Sequence, residues 1–255
     1  MTTVAIMQPT YLGWLGLFDM LDQADVFVLL DTVAVSKQSW QTRNRIRARD
    51  GNVVWLSVPT NATPGLPLNE VQIDYGRDWH TKHWRTIESA YGHTPYLGEV
   101  TELLHQTKAW SKLGRLVPYT ERWIREIQKR LAIDCLIVRA CDLGLAPTGP
   151  VDRIAYLCNE VGATEYLSPT GAMDYLGGQD IGVPIRWHAY EHPVYDQGGA
   201  PFVSHLSVVD LLAWHGPDSL DVIRSGRNVP LHSEEGVCSW DIPRTPVAED
   251  EAEAV

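Results

Sequence analysis

The chain predicts an α/β protein: a mostly parallel, Rossmann-like sheet with a helical insertion over about residues 79–131. Three observations predict it. Short apolar runs recur at residues 4–7, 26–30, 53–58 and 135–139, each ended by polar or turn residues. Stretches with apolar residues three and four apart lie between several of them. From residue 135 onward strands and helices alternate, the pattern of parallel strands joined by crossover helices.

The elements follow in order. The first strand, residues 4–7, breaks at Gln8-Pro9-Thr10-Tyr11 and leads into Trp14-Leu15-Gly16. The second, residues 26–30, is aliphatic and aromatic and stops at Asp31. Residues 36–45 show little strand or helix periodicity. Residues 53–58 read as a third strand, 59–68 as a Pro/Gly loop and 71–74 as a brief strand. Residues 79–91 read as a helix with Trp84, Ile87 and Tyr91 on one face. Residues 110–131 read as one helix whose stripe is Leu113, Leu116, Val117, Trp123, Ile124, Ile127 and Leu131. Residues 135–139 form a strand and 150–161 a crossover helix, with Pro150 in its first turn and Gly162 past its end. A strand over 164–168, a short helix over 170–176, a strand over 185–191 and a helix over 208–214 complete the order.

At 255 residues and 44% hydrophobic, the chain can bury a full core. Residues 1–243 read as one α/β domain. Residues 244–255 read as an acidic, disordered tail, with four acids among the last eight residues. The 21 basic and 32 acidic residues give a net charge of −11, which disfavours general nucleic-acid or anionic-membrane binding. Lys37, Arg43, Arg45, Arg47 and Arg49 nonetheless crowd into 13 residues. No apolar run reaches 18 residues and no basic segment precedes the first strand, so a cytoplasmic protein without membrane span or signal peptide is expected. Cys135, Cys141, Cys158 and Cys238 form no CxxC pair and are expected reduced. No HExxH, D-x-D-x-D, GxSxG or GxGxxG pattern is present; a metal site has no support and no cofactor is indicated.

The chemistry-bearing residues gather where strands end, and in open α/β sheets ligands bind at the carboxyl ends. Gln8 supplies amide donors and an acceptor, and Tyr11 a hydroxyl; the alternative is a turn in which Tyr11 and Trp14 are core plugs. The turn aligns with the phosphate-binding HxGH motif of nucleotidyltransferases, but its tetrad is Trp14-Leu15-Gly16-Leu17, without either imidazole. Asp31, Lys37, Gln41, Arg43, Asn44 and Arg45 suit a phosphate or carboxylate, or else form a solvated basic loop. His83, near a helix start, is a base, an anion ligand or a backbone-satisfied histidine. Ser168 and Thr170 offer an anion site or a plain helix cap. His192, with Glu191 and Tyr195 beside it, has the composition of a general base with an orienting carboxylate, or of a loop anchor; His205 is a lesser candidate. Cys158 fits a core position better than a nucleophile's.

The segments 5–12, 14–16, 23–28, 36–41, 43–46, 82–84, 166–168, 174–176 and 191–195 together resemble the WbqC-like family over residues 4–224. Gly13, before Trp14, and Pro169-Thr170 depart from that pattern. The resemblance implies a setting among genes for amino-sugar, surface-polysaccharide and natural-product assembly, and hence acyl or aminoacyl transfer to an amine. On this expectation His192 deprotonates the amine, with Glu191 or Asp31 orienting it and His83 as a further catalytic candidate. Lys37, Arg43 and Arg45 hold the phosphates of a carrier-bound or nucleotide-activated small molecule. Gln8, Tyr11, Gln41, Asn44, Ser168, Thr170 and Tyr195 position the reacting groups. An ATP-dependent amide ligase and a non-catalytic partner of a biosynthetic complex, with a carrier protein as the partner, are the alternatives.

Overall fold

A computed structural model describes residues 1–36, 39–110, 113–199, 201–228 and 231–232. The strands are β1 (Thr3–Met7), β2 (Val26–Leu29), β3 (Arg43–Arg47), β4 (Val53–Ser57), β5 (Leu136–Arg139), β6 (Glu165–Pro169), β7 (Ile185–His188) and β8 (Leu231–His232). The helices are α1 (Leu15–Gln23), α2 (Trp79–Tyr91), α3 (Leu97–Trp110), α4 (Leu116–Arg130), α5 (Pro150–Glu160), α6 (Met173–Leu176), α7 (Val208–His215) and α8 (Ser219–Ser225).

The main sheet runs β5-β2-β1-β6-β7-β8; its first five strands are parallel and β8 is antiparallel. β1 is central and buried because both faces are covered. Val4 and Ile6 pack with Val28, Leu157, Cys158 and Tyr166 on one side, whereas Ala5 packs with Phe27, Leu29 and Leu167 on the other. That two-sided burial explains the nearly unbroken apolar runs. Taken in chain order, the parallel strands sit 3-2-1-4-5, so the chain reverses direction across the sheet between β1 and β6. Their carboxyl ends share one edge, and the reversal leaves a crevice there.

Three expectations are corrected. The chain over 43–47 is a strand: β3 pairs antiparallel with β4, opposing Arg43 to Ser57 and Arg45 to Trp55. β4 therefore belongs to a separate hairpin, closed through Gly51 at φ 89°, rather than to the main sheet. The single helix over 110–131 is two helices, since Trp110 ends α3 and Gly114 takes φ 72°, left-handed backbone that helices do not continue through. Residues 71–74 make only isolated bridges, from Gln72 to Arg115 and from Ile73 to Thr60. The predicted insertion is thus α2, α3 and α4, with Leu116, Val117, Trp123, Ile124 and Ile127 of α4 buried. The expected tail at 244–255 lies outside the described residues.

Gly16 has a steric duty. A Cβ there would stand 2.2 Å from the Trp14 ring. That ring cannot swing aside freely, because it is edge-on to Tyr190 and stacked on His205. Gly16→Ala is expected to cost about 1–3 kcal/mol by overpacking; a urea midpoint equal to wild type would refute the close fit.

Candidate functional site

At the end of β1, Gln8 Oε1 accepts from Gln41 Nε2 at 2.6 Å. Gln41 Oε1 in turn accepts from the Ser36 amide at 3.1 Å and the Ser39 hydroxyl at 2.9 Å. The Tyr11 N–H donates to the Trp40 carbonyl at 3.0 Å. These bonds latch the loop after β2 onto the turn after β1. Lys37, in that loop, lies outside the described residues.

β3 joins the same assembly. The Ser207 N–H donates to the Arg45 carbonyl and the Val208 N–H to the Gly13 carbonyl, both at 2.9 Å. Arg45 then reaches back: Nε donates to the His205 carbonyl at 3.2 Å and Nη2 to the Ser204 carbonyl at 3.3 Å. His205 holds a left-handed backbone, φ 56°, which costs free energy for a residue with a Cβ.

His192 stands in an aromatic cage on this frame. Its ring centroid is 4.9 Å from His205, 5.9 Å from Phe202 and 6.2 Å from Tyr195. Nδ1 lies 3.0 Å from the Pro193 carbonyl. A carbonyl only accepts, so Nδ1 carries the proton and Nε2 is the lone-pair nitrogen. Nε2 is buried and has no partner among the described residues. Burial, then the neighbouring His205, pulls the His192 pKa down to about 4, so the ring is neutral at pH 7. The orienting contact on Nδ1 is therefore the Pro193 carbonyl rather than Glu191, which is exposed. Asp31 is engaged elsewhere: it lies just past β2, fully buried, with Oδ1 accepting the Cys141 N–H at 3.0 Å and its pKa raised by burial.

The remaining predicted residues fall into three groups. Tyr11, Asn44, His83 and Tyr195 are interior. Tyr11 stacks on Tyr119 and its hydroxyl meets His83 Nδ1 at 3.0 Å. Asn44 Nδ2 donates to the Tyr11 and Leu12 carbonyls at 3.1 and 2.8 Å, holding Leu12 at φ 50°. The Tyr195 hydroxyl donates to Asp210 at 2.8 Å. Arg43 and Arg45 form the second group, on the outer face of the hairpin. The Arg43 guanidinium lies 4.2 Å over the Trp55 ring, and Trp55 is 5.3 Å from Trp40. Both tryptophans are accessible, 42% and 40% exposed, an arrangement suited to stacking a ring or holding an anion. In the third group, Ser168 is buried with its hydroxyl 3.3 Å from the Pro169 carbonyl, and Thr170 is exposed.

His83 makes a pH prediction. Burial lowers its pKa to about 4 from 6.5, and a hydrogen bond to the Ser57 backbone only partly offsets this. Between those values the unfolded chain binds more protons than the folded one. Stability from this group is complete above about pH 6.5 and falls as the pH drops toward 4, by on the order of 3 kcal/mol across the window. The urea stability of His83→Gln should decline less steeply from pH 7 to 5 than wild type; equal slopes would contradict it. Asp31 and Asp210, whose raised pKa values act oppositely, are present in both proteins and cancel.

Two fully buried carboxylates escaped the sequence reading. Asp210 accepts from the Tyr91 hydroxyl at 2.9 Å, the Tyr195 hydroxyl at 2.8 Å and Gln197 Nε2 at 3.0 Å. Asp19 meets His188 Nε2 at 2.7 Å and pairs with Arg227. Each acid interrupts an apolar helix, Leu15 to Leu21 and Val208 to Ala213, and that interruption was the available signal. Cys158 is buried, with its thiol pushed up to about 12. Among the described residues no group of three or more His, Cys, Asp or Glu side chains could hold a metal ion. No described helix is long and apolar enough to cross a membrane.

Fold and site together define an α/β protein whose polar machinery is assembled on loops beyond the carboxyl edge of a Rossmann-like sheet. The WbqC-like protein family model matches residues 8–222, and the chain belongs to that family. It is 30% identical over 230 residues to uncharacterized protein Rv1507c of Mycobacterium tuberculosis, an alignment covering 88% of this chain and 98% of that one. No solved structure matches the chain.

Proposed function

We propose that the protein is a biosynthetic group-transfer enzyme that acylates or aminoacylates an amine, with His192 as general base. The observation that carries this is the state of the His192 ring: a tautomer set by Pro193, a neutral charge state, and a lone pair on Nε2 with nothing to accept. The amine nitrogen attacks the donor's acyl carbon, a C–N bond forms, and the bond from that carbon to the leaving group breaks. The proton from nitrogen passes to Nε2 and then to the leaving group. Nε2 is buried, so the acceptor amine reaches it only when the aromatic cage opens. The acceptor is an amino sugar or natural-product amine, and the donor is carrier-bound or nucleotide-activated.

The test is mass spectrometry of reactions containing the protein, an acyl or aminoacyl thioester or nucleotide-activated acyl donor, and a panel of amino sugars. A mass gain equal to the acyl group, dependent on the protein, supports the proposal; free amine throughout the panel overturns it. An ATP-dependent amide ligase is the second possibility, favoured by the 3-2-1-4-5 strand order. It predicts AMP or pyrophosphate release when ATP, acid and amine are combined.

A further inference from the structure

Two adjoining clefts, of about 430 and 490 Å³, run between α2 and the β3–β4 hairpin and share Asp78, Lys82 and Thr86. Arg49 and Arg85 line the first and Arg77 the second, with Lys82 in both. Four cations therefore face one acid, Asp78, in a chain of net charge −11. Arg85 lies in the field of Asp78, and among the described residues none of the four makes a close ion pair, so a single carboxylate balances four cations. Like charges left unpaired around a concavity repel one another, and an anion seated among them relieves that repulsion. A second observation points to a ligand. Trp79, only 6% exposed, lines the second cleft, and its buried indole N–H has no acceptor among the described residues.

We infer that this cleft binds a pyrophosphate-bearing small molecule, with its anionic groups among Arg49, Arg77, Lys82 and Arg85. The cations are spread over two adjoining spaces with Lys82 common to both, which suits two linked phosphates better than one. The strongly acidic remainder of the chain favours a small molecule over a nucleic acid. Contacts continue from the cleft to the cage. Trp55 lines the second cleft and pairs across the hairpin with Arg45, Arg45 donates to the His205 carbonyl, and the His205 ring adjoins His192. The cleft and the cage are therefore linked through Trp55, Arg45 and His205, so that occupancy of the first can bear on the second. That the bound molecule is the acyl donor rests on the transfer proposal; the binding itself does not.

The test is calorimetric titration of the full chain with inorganic pyrophosphate at low salt. Saturable binding is expected, weakened ~10-fold or more in the Lys82→Gln/Arg85→Gln double variant. It should be unchanged in Arg122→Gln, which removes an exposed cation of α4 from outside the cleft. No saturable binding, or equal weakening in both variants, would overturn the inference, the latter by showing diffuse charge attraction. His192→Ala should bind pyrophosphate as wild type does. Amide formation without pyrophosphate binding removes this site and leaves the transfer proposal standing; binding without amide formation does the reverse.

Discussion

His192→Ala is expected to lower turnover by roughly 10²–10⁴-fold, the usual contribution of a positioned general base, while leaving the thermal unfolding transition nearly in place. Among the described residues the imidazole has one side-chain hydrogen bond, to the carbonyl of the next residue, so the main loss to the fold is its ring packing on His205, Phe202 and Tyr195. His192→Gln keeps a side-chain polar group but has no basic nitrogen lone pair to accept the amine proton, and should be nearly as impaired. The pH profile is a sharper test than the rate alone. With a pKa near 4 the base is already unprotonated at pH 5, so kcat/KM should show no acid limb near 6.5 from this residue. Near-normal turnover in His192→Ala would remove His192 from the chemistry.

Asp210→Ala carries the largest expected loss of stability, roughly 3–5 kcal/mol by urea denaturation. Three donors, from Tyr91, Tyr195 and Gln197, converge on that carboxylate in the interior and would be left without an acceptor. Asp210→Asn keeps the shape and one carbonyl oxygen and should lose about half as much. The same site ties together distant parts of the chain. Tyr91 ends α2, Asp210 lies on α7, and Tyr195 and Gln197 follow His192; Arg47 of β3 donates to the Gln197 carbonyl at 3.1 Å. Asp210→Asn is therefore expected to raise KM as well, by loosening the segment that carries His192. A loss below about 1 kcal/mol for Asp210→Ala would show that the three bonds are replaced by others.

The parts of the fold legible in the sequence are those whose signals are local. β1 and β2 are apolar runs closed by polar turns, and α5 has Pro150 inside its start and Gly162 beyond its end. β3 was illegible for a physical reason: its inner face holds Asn44 and Ile46, its outer face the Arg43 and Arg45 guanidinium groups, and Arg47 is buried against Gln197. The apolar partner of that outer face, Trp55, comes from the opposite strand. The break between α3 and α4 hid behind a continuous apolar stripe, although Gly114 stood inside it. At the site, residue types could not separate a ligand contact from an internal brace, since one amide serves either. Asn44 spends its amide on Tyr11, Leu12 and Arg45; Tyr11 spends its hydroxyl on His83. Both needed partners 32 to 72 residues away that no short-range spacing reveals.

The backbone junction among Gly13, Arg45, Ser207 and Val208 has a consequence for variation. It is made of main-chain donors and acceptors, which every residue except proline can supply in full. The scaffold and the side chains it displays are therefore separable. Exchanges at the exposed Trp40 and Trp55 can reshape what the surface accommodates with little disturbance to the scaffold beneath. A library confined to those two positions is expected to keep the urea midpoint near that of wild type while the exposed face changes.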